Sequence, residues 1–237
     1  MTSSAQEDVT AGCAPDCAES ADKPMFIMDL LYPPRCTFCH DFVKNGKILI
    51  CDKCRDQLPR TLNAGRQKTT FVSACIAPFY YEKDVKESLH RFKFFYCTGY
   101  ARAYAPYLAD LIREEFGDSF DLLTWVPISR KRLKKRGYDQ SKLLAQAVGK
   151  LLGVRPVRTL RKIRNTPPQS MIKSAEKRRE NIKDAYVLWK PERIVGKRIL
   201  ILDDIFTTGS TVSECARMLG KGGADQILCA TVARSRS

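Results

Sequence analysis

The residues best suited to chemistry lie in one short stretch, Ile199-Leu-Ile-Leu-Asp203-Asp204-Ile-Phe-Thr207-Thr208-Gly209-Ser210-Thr211. Its order is an apolar strand, two carboxylates at the strand end, a turn of small residues and a helix start. Gly209 lets the backbone approach a ligand. The hydroxyls of Thr207, Thr208, Ser210 and Thr211 join successive amides at a helix start to hold a dianionic phosphate. The paired acids accept hydrogen bonds from neighbouring hydroxyls of a sugar. The plainer alternative is a capped turn with two solvated aspartates, but adjacent carboxylates at an apolar strand end repel each other without a partner. A Walker loop needs a lysine after its last glycine, and a dinucleotide fingerprint needs three spaced glycines. Neither is present, which argues against kinase-like nucleotide binding.

A second constellation is metal-ligating. Cys36-Thr-Phe-Cys39 and Cys51-Asp-Lys-Cys54 are two CxxC knuckles about eleven residues apart, a spacing used by tetrahedral four-cysteine zinc sites. Four sulfurs fill the coordination sphere and leave no place for water, so the expected Zn²⁺ is structural. A thioredoxin-like redox pair is single and precedes a helix, which does not fit two pairs in a polar segment. His40 adjoins Cys39, but four cysteines already satisfy a metal. Cys13 and Cys17 have looser spacing, and Cys75, Cys97, Cys215 and Cys229 stand among apolar residues as small hydrophobes.

The elements that must position these groups follow from periodicity. A short helical stretch over 25–31 is stopped by Pro33 and Pro34. Strand formers over 74–81 precede a helix over 83–95, in which Val85, Leu89 and Phe92 recur at helical spacing. Further helices are expected over 100–116, 139–152, 174–182 and 210–219, and strands over 122–126, 198–202 and 226–232. Alternating strands and helices predict an α/β fold, a doubly wound and mostly parallel sheet, whose ligands bind beyond the carboxyl ends of the strands. The chain then divides into a disordered tail (1–23), a zinc module (24–60) and a larger α/β domain (61–237).

Composition bounds the partners. With 237 residues and 44% hydrophobic content the chain can bury a full core, and no apolar run approaches the roughly 18 residues of a membrane span. The first residues have no basic start or apolar stretch, so no secretory signal is read and the ten cysteines point to a reducing, cytoplasmic setting. The formal net charge is +15, and a surplus of that size attracts polyanions. Most of it lies between residues 130 and 198, with about 22 basic against about 5 acidic side chains. A basic surface that is merely well solvated is the alternative.

The acid-pair segment resembles the phosphoribosyl pyrophosphate motif of the type I phosphoribosyltransferases. Val126-Pro-Ile-Ser, Arg136-Gly-Tyr-Asp-Gln140, Arg164-Asn-Thr166-Pro-Pro-Gln169 and Arg178-Arg-Glu-Asn181 follow the order typical of the competence-related ComF/GntX family. The amino-terminal knuckles belong to the same pattern, so the likeness runs from about residue 24 to the end. It implies a type I phosphoribosyltransferase fold with a small zinc ribbon. It also implies that Asp203 and Asp204 hold ribose hydroxyls, that Thr207, Thr208, Gly209, Ser210 and Thr211 hold the 5-phosphate, and that Pro127, Ile128, Ser129, Arg130 and Lys131 bind pyrophosphate. Mg²⁺ would accompany the diphosphate, and Arg136, Gln140, Arg164 and Gln169 would close over the site. Relatives usually carry asparagine where Asp139 stands.

The implied reaction is pentosyl transfer to an acceptor that the sequence does not name, associated with DNA uptake in natural transformation. Partners implied are phosphoribosyl pyrophosphate or a nucleotide, single-stranded DNA and a helicase-like ATPase. Two alternatives use the same fold without turnover, a ligand-sensing regulator and a single-stranded-DNA-binding protein.

Overall fold

A computed structural model describes residues 33–44, 49–166 and 174–236. The expected tail, the helical stretch over 25–31, Cys13, Cys17 and Gln169 lie outside the described residues. The elements run α1 (Asp52–Gln57), β1 (Gln67–Thr69), β2 (Val72–Ile76), β3 (Phe79–Tyr80), α2 (Lys83–Phe94), α3 (Tyr100–Glu115) and β4 (Leu122–Trp125). They continue through α4 (Arg130–Arg136), α5 (Gln140–Leu152), β5 (Leu160–Lys162), α6 (Ala175–Ile182), β6 (Tyr186–Leu188), β7 (Arg198–Phe206), α7 (Ser210–Lys221) and β8 (Gln226–Arg234).

The main sheet has the order β1-β2-β8-β7-β4, with β3 also paired to β8. Every ladder in it is parallel except the edge pair β1–β2. β7 lies between β8 and β4, and its Ile199, Leu200, Ile201 and Leu202 are all fully buried, as a strand covered on both faces requires. Alternate residues serve opposite cores. Leu200 and Leu202 join Leu89, Tyr104, Leu108 and Leu144 from α2, α3 and α5, while Ile199 and Ile201 join Val212, Cys215 and Leu219 from α7. Among the described residues, no helix is long and apolar enough to cross a membrane.

Three elements differ from expectation. The strand over 74–81 is two strands, parted at Ala77 and Pro78, because proline cannot donate to a ladder. The strand expected to stop at residue 202 runs to Phe206, so both acids lie inside it and not after its end. Arg130 and Lys131 were expected in a loop, but Ser129 caps a helix there, its Oγ accepting from the Arg132 N–H at 3.3 Å. Between β4 and β7 the chain also forms a separate antiparallel pair, β5–β6.

The amino-terminal knuckles share the main core. Phe38 is fully buried and meets the rings of Phe79 and Tyr104 edge-on, each at 5.7 Å. From α2, Ser88 Oγ donates to the Thr37 carbonyl at 2.6 Å, and Arg91 donates to the Thr37 and Phe38 carbonyls at 3.2 and 2.5 Å. The zinc segment therefore braces α2.

Candidate functional site

β7 outruns its neighbour. Trp125 is the last β4 residue in register, opposite Leu202, and the next two residues of β7 are Asp203 and Asp204. Both are buried, at 7% and 5% exposure. Side chains from two helices meet them there. Ser141, in the first turn of α5, donates its hydroxyl to Asp203 Oδ1 at 2.9 Å, and the Asp204 N–H donates to the same oxygen at 2.9 Å. Asp204 Oδ2 lies 2.9 Å from Lys93 Nζ at the end of α2 and accepts from Gln140 Nε2 at 3.3 Å.

Charge is costly at this depth. Burial, and then the charge of Asp204, push the Asp203 carboxyl up to about 7, against the opposing pull of the Asp204 N–H, Lys93 and Ser141. The Asp203 carboxyl is therefore poised to hold or release its proton near neutral pH.

The turn after β7 is fixed by Gly209. Its φ is +68°, and a Cβ there would stand 2.6 Å from the Phe206 ring and 3.0 Å from Thr69 Oγ1, so backbone conformation and packing both demand glycine. Ser210 opens α7, and the Ser213 N–H donates to the Gly209 carbonyl at 2.8 Å. Thr208 Oγ1 and Ser210 Oγ are hydrogen-bonded at 2.9 Å, Thr207 is exposed and Thr211 is half-buried. The acids and these hydroxyls thus follow one another from the last residues of β7 to the first residues of α7.

Residues 127–131 approach from β4. Pro127 is buried and the Ile128 N–H donates to Asp139 Oδ2 at 3.2 Å. Asp139 also caps α5, its Oδ1 accepting from the Lys142 N–H at 3.1 Å. Its carboxylate accepts on both oxygens, whereas an asparagine offers one acceptor. Burial raises its pKa despite these bonds. Ser129 Oγ donates to Asn165 Oδ1 at 2.8 Å, and Arg130 and Lys131 are exposed on the first turn of α4.

The expected lid residues separate. Arg136 NH1 donates to Gln140 Oε1 at 2.5 Å, which joins both to Asp204. Arg164 is exposed and donates instead to the Lys183 carbonyl at 2.6 Å, so it is not brought to the acids. Lys93 was missed by sequence reasoning, because a lysine late in a charged helix reads as solvated. The available signal was the acid pair itself, which requires a cation nearby.

Cys36, Cys39, Cys51 and Cys54 bring their sulfurs within 4.8 Å of one another. Zn–S bonds of about 2.3 Å place tetrahedral sulfurs about 3.8 Å apart, and Cys39 Sγ lies 3.7 Å from Cys51 Sγ. The Cys51 N–H points at Cys36 Sγ at 3.4 Å. Burial works against a Cys36 thiolate, but backbone N–H groups of Cys51, Phe38 and Cys39 outweigh it and lower that thiol to about 7. The donor set and its geometry fit a structural zinc ion.

A family model described as a double zinc ribbon domain matches residues 27–66, and one described as a phosphoribosyl transferase domain matches residues 142–237. The DNA utilization protein YhgH of Salmonella typhimurium is 31% identical over 211 residues, covering 83% of this chain and 90% of its own length. Competence protein F of Haemophilus influenzae is 32% identical over 112 residues, 46% of this chain and 48% of that protein. Competence protein ComFC of Bacillus subtilis is 28% identical over 156 residues, 65% and 62% of the two chains. This chain belongs to the ComF family. In this ComF-family chain the phosphoribosyl transferase match takes in the acid pair and its turn, and the zinc ribbon match takes in all four cysteines. Its α/β fold, with a mostly parallel sheet, is of the type I phosphoribosyltransferase kind.

Proposed function

We propose that the chain binds phosphoribosyl pyrophosphate, or a nucleotide related to it, and transfers its pentose to an acceptor in the service of DNA uptake. One observation carries this reading. Asp203 and Asp204 stand together, buried, on the part of β7 that runs on beyond β4, shortly before the positive-φ glycine turn that opens α7. The acids accept from the sugar diol, and the amides and hydroxyls from Thr207 to Thr211 take the 5-phosphate. The stretch from Pro127 to Lys131 lies beside the diphosphate, and Arg130 and Lys131 add positive charge.

Mg²⁺ would accompany the diphosphate and supply positive charge to its oxygens. Its preference for oxygen fits phosphate and hydroxyl ligands, and the acid pair, already bonded by Ser141, Gln140 and Lys93, serves the diol. The acceptor forms a bond to the anomeric carbon as the bond to the diphosphate breaks, and the diphosphate leaves with the electron pair. Positioning and fixed dipoles supply the rate. The names of the relatives, DNA utilization protein and competence protein, support a place in DNA handling, and a four-thiolate metal site fits a reducing cytoplasm.

A second reading, single-stranded DNA held on the basic region, is favoured by α4, whose sequence Arg-Lys-Arg-Leu-Lys-Lys-Arg has no buried residue. Release of pyrophosphate from the donor with Mg²⁺, with Asp203→Asn and Asp204→Asn as controls, tests the transferase reading. Release by the wild type alone supports it. Donor binding without release for any candidate acceptor, including water, overturns turnover and leaves a sensor or DNA-binding protein.

A further inference from the structure

We propose that the exposed aromatic segment Phe94-Phe95-Tyr96 is a stacking platform for a nucleobase, which makes the ligand of this site a ribonucleotide. The inference rests on the sugar-phosphate reading above and adds the base. Phe94, Phe95 and Tyr96 are 56%, 62% and 67% exposed, three consecutive rings presented to water at the end of α2 and the start of the link to α3. Single exposed aromatics need no explanation, but a contiguous apolar patch marks a binding surface.

The rings are held in place. Phe94 lies 4.9 Å from the His90 ring and 5.0 Å from the Arg136 guanidinium, and Phe95 lies 5.7 Å from His90. Tyr96 adopts a φ of +57°, and its ring lies tilted at 56° to the Tyr138 ring, 6.1 Å between centroids. A Cβ on Gly137 would stand 3.2 Å from the Tyr96 ring, so the glycine makes room for it. A strained non-glycine residue of this kind persists only where its surroundings hold it, and such residues gather at ligand clamps.

Two routes tie the platform to the acids. Lys93, which pairs with Asp204 at 2.9 Å, directly precedes Phe94. Arg136 covers Phe94 with its guanidinium and bonds Gln140, which bonds Asp204. A base stacked here would hang beside a sugar whose diol sits on the acid pair, and the cations Lys93 and Arg136 match a phosphate-bearing ligand. The acids select ribose, since DNA within a strand lacks the diol.

Adenosine 5′-monophosphate and ribose 5-phosphate share sugar and phosphate and differ in the base, so calorimetric titration of the full chain with each reads the platform alone. Wild type is expected to bind the nucleotide about tenfold or more tightly. The Phe95→Ala/Tyr96→Ala double variant should bring the two within about twofold while ribose 5-phosphate affinity stays. Should that variant melt early, Phe95→Leu/Tyr96→Leu keeps apolar bulk without a π-face and must show the same loss. Equal wild-type affinity for both ligands, or a preference that survives in the variants, overturns the platform and leaves the sugar-phosphate site standing. Binding of neither ligand overturns both. A wild type that binds 2′-deoxyadenosine 5′-monophosphate as tightly as the ribonucleotide overturns the ribonucleotide assignment.

Discussion

Lys93 Nζ lies 2.9 Å from Asp204 Oδ2, and Gln140 Nε2 lies 3.3 Å from the same oxygen, so α2 and α5 converge on one carboxylate of β7. Lys93 is 23% exposed and Asp204 7% by side chain, so water screens the pair only in part. The lysine pays part of the cost of burying two adjacent acids. Lys93→Gln should lower stability by about 1–3 kcal/mol, less than the loss from a fully buried pair. In urea unfolding, Asp204→Asn placed on top of Lys93→Gln should recover part of that loss. Strictly additive effects would show that the two side chains do not interact.

Gly209→Ala sets a Cβ 2.6 Å from the Phe206 ring at a φ of +68°. The expected cost is about 1–3 kcal/mol, from strain and overpacking together. The turn must shift to relieve it, so phosphoribosyl pyrophosphate affinity should fall about tenfold or more, as expected when several charge-assisted hydrogen bonds are misaligned. An alanine variant with wild-type melting and wild-type affinity would contradict this account of the turn.

The Asp203 carboxyl titrates near 7 when folded because burial and Asp204 disfavour its charge, and an unfolded aspartate titrates near about 3.9. Between those values the folded state holds the proton more tightly. The stabilisation is complete below about pH 4 and is lost as pH rises through 7. Asp203→Asn keeps the Ser141 acceptor and removes the titration. It should raise the melting temperature by about 5 °C at pH 8 and change it little at pH 4. An unchanged difference across that range would place the titration elsewhere.

Zinc reaches the site through packing. Cys36, Phe38 and Cys54 belong to the core that includes Leu89 and Phe92 of α2, the helix that ends in Lys93 and Phe94. Cys39→Ser, or removal of zinc by a chelator, should lower the melting temperature by about 10 °C or more. Donor affinity should weaken with it, because α2 carries Lys93 to Asp204. Elemental analysis should give one zinc per chain. A zinc-free protein with unchanged melting and binding would separate the ribbon from the site.

Much of the frame was legible because β7, α5 and α7 are consistent at every level. Ile199 to Leu202 form a continuous apolar strand, Leu144 and Val148 lie on one face of a helix capped by Asp139 and closed by Gly153, and Gly209 sits where only a positive φ fits. What stayed hidden depended on long-range partners. Asp203 and Asp204 belong to the strand because Ser141, Gln140 and Lys93 satisfy them, and nothing local announces those bonds. α4 has no apolar stripe, so its cations read as a loop, while Ser129 and Gly137 at its ends were the unused cap signals. β1, β5 and β6 are three residues each, too short for periodicity to register.

The central claim is that the two acids and the turn hold an activated pentose. Calorimetric titration of phosphoribosyl pyrophosphate with Mg²⁺ into wild type, Asp203→Asn and Asp204→Asn tests it most directly. Saturable binding by the wild type, weakened about tenfold or more in each variant, is the expected result. Wild-type binding that both variants retain in full, or no binding at all by a folded wild type, would contradict it.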